Sequence, residues 1–600
     1  MTDQLLNDRD LRFQLFEILD TEGLLKRPRY AELDLTVLDA TLQTARDVAA
    51  QYFAPHNQKG DANEPTFDGE KVTLIPETKA AWDAFASAGF LAAHHDFEDG
   101  GQQLPEVVLR TCMAYFNAAN IATLGYSFLS IGAANLIKTF ASTELRQRFL
   151  PPMLEGRFSG TMAMTEPGQG SALGDLRTSA RAAEDGSYRI SGSKMFISGG
   201  DHELTENIVH LVLARIEGAP AGVKGISLFL VPKYLVNADG SVGGRNDVAL
   251  AGLLHKMGYR NATSTVLNFG EKDGAVGYLV GEANKGLGYM FQMMNEARIG
   301  VGLGAASLGY QSYIHALDYA RNRPQGRLPG NKDPLTPQVR IVEHADVRRM
   351  LLQQKVYAEG SMALCLYAST LVEDSHTAPD ADQRHQAAEM LDLLTPVVKS
   401  WPSRYGLLAS EIGIQVLGGS GYTREYQLEQ FYRDNRLNPI HEGTEGIQAI
   451  DLLARKLGPQ GGDGFALFLT RLKASLNEGH ARHDCASLAT ALRTAMQVIE
   501  RVTIEMQIRV SANPALGLSN ATAYLDMFGK LVVGWIWLRQ ALAASRALTS
   551  GAVGSEADFY KGKLHAARYF MEWELAGLQG QARLLSTGNR VCFDMQNDWF

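Results

Sequence analysis

The residues best suited to chemistry lie between Gln415 and Gln448, QVLGGSGYTREYQLEQFYRDNRLNPIHEGTEGIQ. The segment opens on a glycine turn, Gly418-Gly419-Ser420-Gly421, and closes on His441-Glu442-Gly443-Thr444. Glycine lets backbone approach a ligand closely and adopt positive φ. A carboxylate beside such a glycine, at the mouth of a helix, is placed to act as an acid or base. The same residues also suit a plain helix start: Thr444 as cap, Glu445 favouring the first turn, Gly458 ending the run.

Other segments carry groups fit for a phosphate-bearing or planar ligand. Thr161-Met-Ala-Met-Thr-Glu-Pro-Gly-Gln-Gly-Ser171 offers the hydroxyls of Thr165 and Ser171 and close backbone approach at Gly168 and Gly170. Such groups bind a polar ring edge or carbonyl and phosphate oxygens. A simple Pro-Gly turn is the alternative. In Lys194-Met-Phe-Ile-Ser-Gly-Gly200, Phe196 taken alone reads as a core residue of an alternating strand. Asn295-Glu-Ala-Arg298 and Tyr319-Ala-Arg-Asn-Arg-Pro-Gln-Gly326 hold arginines that can pair bidentately with phosphate or end a solvated helix.

Helices must position most of these groups. Apolar spacing predicts helices through residues 1 to about 160, with Asn57 to Pro76 a loop and Pro151-Pro152 a stop. From Phe158 to about Gly281 short β-branched runs alternate with turns: Ser187–Ile197, Ile208–Ile216, Gly225–Val231, Ser264–Phe269 and Ala275–Val280. Asn237 to Gly244 reads as a turn between them. Helical spacing returns at Met290–Asn322, Val342–Asp374 and Arg384–Ile414. A glycine-rich linker from Gly458 to Gly464 precedes a last helical segment. Gly302-x-Gly304 falls inside a helix without the strand and third glycine of a dinucleotide fingerprint, so it reads as close helix packing.

Composition narrows the class. The chain has 600 residues, 45% hydrophobic and 20% charged, with net charge −9. Those are values of a soluble globular protein of several domains, not of a general nucleic-acid binder. Four scattered cysteines (Cys112, Cys365, Cys485, Cys592) form no metal motif and fit a reducing compartment. No apolar leader stands at the N-terminus, and Leu531–Leu538 is too short to span a bilayer. A cytoplasmic protein with no metal and no stable membrane insertion is expected.

The ungapped order from Gln415 to Gln448 resembles the C-terminal part of the acyl-CoA dehydrogenase family. The other two segments resemble that family's TEPGxGSD loop and KxWITNG strand. The opening DLRFQLFEILD and the extra length resemble its roughly 600-residue bacterial branch, which includes methylmercaptopropionyl-CoA and long fatty acyl-CoA dehydrogenases. The resemblance implies a mostly α fold with a small central β-domain. Its parts would be a helical segment at 1–159, a β-barrel or sandwich at 160–284, a four-helix bundle at 285–458 and an added helical domain at 465–600.

It also implies roles. Glu442 would be the base that takes an α-proton from an acyl-CoA thioester, giving the trans-2-enoyl-CoA, as in fatty acid β-oxidation. Its own backbone N–H, with a ribityl hydroxyl, would polarise the carbonyl. FAD would lie against Met164, Thr165, Gly170 and Ser171, with Phe196 flanking its ring and Ser198 on the N5 side. Arg323, Gln325, Gln415, Gly418, Gly419 and Thr444 would complete the cofactor site, Arg323 and Gln415 in the partner of a homodimer. Ser171, Asn295, Arg298 and Gly443 would meet the substrate, Arg298 at the CoA mouth. Electrons would pass to an electron-transfer flavoprotein. Four positions depart from the family pattern: Ala172 for Asp, Phe196 for Trp, Asn295 for Asp, and Arg327 for an aromatic. An acyl-CoA oxidase shares the first half-reaction. A non-catalytic DNA-associated flavoprotein would need a basic C-terminal domain, and residues 465–600 have no basic stripe.

Overall fold

The computed structural model describes residues 4–458 and 461–600, the side chains of 292–295 excepted. The chain folds as two compact units. One holds Met1–Leu35, Glu106–Ala114 and Arg298–Phe600; the other holds Thr36–Pro105 and Tyr115–Ala297.

The second unit is built on a sheet of eight strands: β1 Phe158–Ala163, β2 Ser179–Ala182, β3 Tyr188–Ser198, β4 Asn207–Ile216, β5 Ile226–Pro232, β6 Val248–Leu253, β7 Ser264–Phe269 and β8 Ala275–Leu279. Their order is β6-β7-β3-β8-β5-β4-β1, and β2 pairs with both β3 and β4. β4 and β5 are apolar on both faces and buried almost throughout, as strands covered on two sides must be. Where β3 meets β7, Ile197 pairs with Thr265 but Lys194 pairs with Leu267. Met195 and Phe196 therefore oppose Val266 alone. This bulge turns Phe196 to φ +60 and re-aims its side chain.

Sequence periodicity overlooks three of these strands, β1, β2 and β6. β2 is only four residues long, and β6 (VALAGL) carries small residues that mute the alternation. The tip of a hairpin lies at Asn237–Ser241, between arms Tyr234–Val236 and Val242–Arg245, so Val242–Gly244 is strand rather than turn. Asn57–Pro76 is likewise more than a loop. It holds a short helix, Asn57–Ala62, with buried Asn57, Gly60 and Asp61, and a hairpin pairing Thr66 with Thr73. Pro151-Pro152 does not stop its helix, which runs from Thr143 to Leu154. Phe149, Leu150, Pro152, Met153 and Leu154 are all buried there, and that packing outweighs the lost backbone bond.

The first unit is helical. The helix Gly286–Asn322 (α1) belongs to it from Arg298 onward, and Ala345–Thr377 (α2) and Ala381–Leu417 (α3) are its other long members, followed by the short Glu445–Ile450 (α4). Gly302 and Gly406 let α1 and α3 touch backbone to backbone: a Cβ on Gly302 would stand 2.1 Å from the Val398 carbonyl, and one on Gly406 2.4 Å from that of Ala305. The C-terminal helices Ala521–Thr549 (α5) and Gly554–Tyr569 (α6) pack in the same unit. The apolar Leu531–Leu538 is the buried middle of α5. Phe13 packs with Ala543, Ala544 and Tyr560, so the start of the chain is built into the C-terminal helices. Glu106–Phe140 is the one helix among the described residues long and apolar enough to cross a membrane, and 67% of its apolar window is buried inside the protein.

Candidate active site

α3 ends where Gly418 takes φ +61, and a short helical turn and the helix Leu428–Asn435 carry the chain round to Glu442. Glu442 sits at φ +53 and Gly443 at φ +90, two successive residues in conformations that L side chains disfavour. Thr444 then caps α4, its hydroxyl accepting from the Ile447 N–H at 3.4 Å. Gly443 at φ +90 favours glycine, and a Cβ there would lie 2.6 Å from Gln448 Nε2. That amide donates to the Glu442 carbonyl at 3.0 Å and fixes the turn from within α4.

The strained turn presents a carboxylate in an unusual state. Glu442 Oε2 is shut off from solvent and accepts no hydrogen bond among the described residues. Burial raises the carboxyl's proton affinity, partly offset by the charges of Arg298 and Lys399. Among the described residues none accepts from the Glu442 N–H. A buried, proton-hungry oxygen and a free backbone donor on one residue are what enolisation of a thioester requires.

Two buried cations stand by. Arg298, on α1, is 5% exposed and its Nη1 donates to Asp451 at 2.9 Å, while its Nε has no partner among the described residues. Its guanidinium is engaged inside the helical unit, not at an open mouth. Lys399, on α3, is fully buried and its Nζ donates to the Gly443 carbonyl at 2.7 Å. His441 is neutral: burial, with help from Lys399, lowers its pKa to about 3. Glu445 lies 3.9 Å from Arg404.

The remaining expected residues of this unit lie at its surface. Arg323, Gln325, Gln415, Gly418, Gly419 and Thr444 are exposed. Arg323 and Gln325 belong to an antiparallel arm in which the Gln325 N–H donates to Val339 and the Ile341 N–H to Arg323. Arg327, the departure from the family pattern, closes that arm by donating to the Thr336 and Pro334 carbonyls. The side chain of Asn295 lies outside the described residues.

The sheet unit carries the other set. Met164 and Thr165 are half-buried; Gly170, Ser171, Phe196 and Ser198 are exposed. Phe196 is 62% exposed, the reverse of a core strand residue. The β3 strand and the Thr161–Ser171 loop are fastened together. The Met195 N–H donates to the Thr165 carbonyl at 2.9 Å. The buried Lys194 reaches the Met164 carbonyl at 3.1 Å and Glu166 at 2.9 Å. Glu166 also accepts from Arg177 N–H, Thr178 N–H and the Thr178 hydroxyl. An exposed aromatic on a bulge, with the half-buried Thr165 and the exposed Ser171 and Ser198 hydroxyls, on segments held together by a buried ion pair, fits a flat polar-edged ring such as a flavin.

Sequence reasoning missed Lys399, Lys194 and Glu166. Each lies inside a segment it singled out or just beside one. A lysine where spacing demands an apolar residue was the available signal for Lys399.

Comparison with known proteins agrees with this chemistry. Four family models match in order: acyl-CoA dehydrogenase N-terminal domain at residues 38–157, middle domain at 161–271, C-terminal domain at 284–457, and acetyl-CoA dehydrogenase C-terminal like at 468–596. The chain is 34% identical over 588 residues to the 3-methylmercaptopropionyl-CoA dehydrogenase of Ruegeria pomeroyi, covering 97% of this chain and 98% of that one. It is 34% identical over 596 residues to the broad-specificity linear acyl-CoA dehydrogenase FadE5 of Mycobacterium tuberculosis, covering 97% of each. The crystal structure of an acyl-CoA dehydrogenase from Bacillus anthracis, complexed with FAD, shares the fold with TM-score 0.74 at 19% identity, covering 92% of this chain and 88% of that one.

Proposed function

Because this chain belongs to the acyl-CoA dehydrogenase family, we propose that Glu442 is its catalytic base, acting on the α-carbon of an acyl-CoA thioester. The protein is an FAD-dependent oxidoreductase of that class. The observation that carries the assignment of Glu442 is its buried, unpartnered Oε2 on a turn held at positive φ.

Met164, Thr165, Gly170, Ser171, Phe196 and Ser198 would hold FAD along its ring and polar edge, with Arg323, Gln325, Gln415, Gly418, Gly419 and Thr444 at its phosphates and remaining contacts. Bound FAD supplies the two-electron acceptor. The chain does the rest. The Glu442 N–H donates to the thioester carbonyl as that oxygen becomes negative. Glu442 Oε2 takes the α-proton. Gly443 leaves room for the thioester, and the buried surroundings keep water away from the base. Asn295 and Ser171 would also meet the substrate, and Arg298 would act from behind Glu442 through its charge.

The acyl group we propose is linear. Relatives named for broad linear acyl-CoAs and for a thioether-bearing acyl-CoA support a straight chain with no charged end. The electron acceptor we propose is an electron-transfer flavoprotein. The exposed arm that carries Arg323 suits a homodimer in which Arg323 and Gln415 complete the partner's cofactor site. The test is anaerobic flavin reduction by a panel of CoA thioesters. Linear acyl-CoAs should bleach the flavin within seconds. If no saturated acyl-CoA does so, the activity is wrong. Oxygen consumption during turnover would replace the flavoprotein with O₂, and a fully active monomer in light scattering would remove the cross-subunit site.

A further inference from the structure

Lys399 is the least expected residue of the helical unit. It lies midway along α3, fully buried, between Pro396 and Pro402. Among the described residues its ammonium makes one hydrogen bond, to a neutral acceptor, the Gly443 carbonyl, at 2.7 Å. An ammonium carries three donors and is costly to bury without a paired charge. A methionine or leucine would pack there at less cost. The carbonyl it grips belongs to the glycine directly after Glu442, in a turn where both residues hold positive φ.

We propose that Lys399 is the positioning residue of Glu442, fixing the Glu442–Gly443 turn through the Gly443 carbonyl and keeping a cation beside the base during proton transfer. This rests on the reading of Glu442 as the base.

The surrounding charges give it that second task. Arg298 faces Glu442 from α1, and Asp451 pairs with Arg298 at 2.9 Å and with Arg455 at 3.5 Å. Glu445 faces Lys399 from α4, and Arg404 stands 3.9 Å from Glu445. His441 is neutral. When the α-proton moves, the C–H bond breaks, the proton binds Glu442 Oε2 and the electron pair passes to the thioester. Glu442 loses its charge at that moment. Lys399 and Arg298 are then balanced by Asp451 and Glu445 less fully than before, just as negative charge grows on the substrate. A fixed cation that is uncovered in step with the reaction favours its transition state. Burial pulls the Lys399 pKa down to about 8 against the opposing charges of Glu442 and Glu445, so the ammonium persists through neutral pH.

The experiment uses the FAD-loaded enzyme with Lys399→Met, Lys399→Gln and Lys399→Arg. Single-turnover flavin reduction is followed against pH, and unfolding is followed in urea. A cation near a carboxylate lowers its pKa, and the base works ionised. Removing that cation must therefore move the acid limb of the rate profile upward. Lys399→Gln can still donate to Gly443 without a charge, so it should shift the limb up by about one pH unit, a factor of about ten in the acid range. Lys399→Met should shift the limb equally and also lower the plateau at least about tenfold. Lys399→Arg should leave the limb in place. Both neutral variants should be at least as stable as the parent in urea. The proposal is overturned if the limb stays put in Lys399→Gln, or if Lys399→Met is destabilised with its limb unmoved, which marks a purely structural lysine. Loss of the acid limb in the parent on changing Glu442→Gln belongs to the base assignment and is read separately.

Discussion

The side-chain amide of Gln448 reaches back 3.0 Å to the carbonyl of Glu442. One turn of helix thus clamps the backbone that carries the proposed base, and it does so across the space a Cβ at Gly443 would need. Gly443→Ala should therefore hurt twice. Alanine at φ +90 is strained, and its methyl pushes the Gln448 amide off the Glu442 carbonyl. The expected cost is roughly 1–3 kcal/mol in urea unfolding, with flavin reduction slowed at least about tenfold because a displaced base loses its alignment. An alanine variant with parental rate and stability would show that the turn tolerates a side chain.

The Glu442 charge should be visible in stability as well as rate. Burial raises its folded pKa above the unfolded value. A raised carboxylate costs stability once pH exceeds the unfolded pKa, and the cost is complete above the folded one. Glu442→Gln should thus stabilise the protein at neutral pH, by roughly 1–3 kcal/mol for one unpaired buried acceptor. Near pH 4 the two proteins should unfold alike. A gain of equal size at both pH values would contradict this assignment.

A second buried charge cluster ties the start of the chain to its C-terminal helices. Lys563 donates to Asp10, to Glu359 at 2.7 Å and to Gln540 at 2.9 Å, and Tyr310 donates to Asp10 at 2.9 Å. Burial disfavours the Asp10 carboxylate, but Lys563 prevails and holds its pKa below the ordinary value. The stability this provides is present above the unfolded pKa and is lost as pH falls through the folded one. Lys563→Met leaves Asp10 without its main partner and should destabilise the protein by roughly 3–5 kcal/mol at pH 7. The deficit should shrink in acid. A neutral Lys563→Met would mean that the cluster contributes nothing.

Lys194 and Glu166 make the matching prediction for the sheet unit. Burial lowers the Lys194 pKa to about 8 even with Glu166 beside it. Lys194→Met removes the link to the Met164 carbonyl and strands a buried Glu166. The loop beside Thr165 should loosen, and FAD affinity by fluorescence titration should fall at least about tenfold, or about 1.4 kcal/mol. Unchanged affinity would leave the ion pair with a folding role alone.

Much of this was legible in the residues and some was not. Thr444 and Glu445 announced a helix start, and the structure builds it. The order of Gly418-Gly419, Arg433-Asp434 and Glu442-Gly443 at this spacing carried the family resemblance. Phe196 deceived in isolation: alternation put it in a core, and only the bulge opposite Val266 turns it out. Asn57–Ala62 and β6 were hidden for a related reason. Polar or small residues hold a helix or strand there through tertiary packing, which local spacing does not record. For Lys399 the one local signal was a lysine at an apolar position of its helix; its role needed its carbonyl partner Gly443, far along the chain, which spacing does not show.

The central claim is that Glu442, and not its neighbour Glu445, takes the α-proton. The structure separates them: Glu442 Oε2 is buried and unpartnered, while Glu445 stands toward Arg404 at 3.9 Å. The direct measurement is stopped-flow flavin reduction by a saturated linear acyl-CoA in Glu442→Gln and Glu445→Gln, each loaded with FAD. Glu442→Gln should still bind FAD and acyl-CoA yet reduce its flavin about 10²–10⁴-fold more slowly, the worth of a positioned base. Glu445→Gln should stay within a few-fold of the parent. A near-parental rate in Glu442→Gln would contradict the account, and a collapse in Glu445→Gln alone would move the base three residues along the chain.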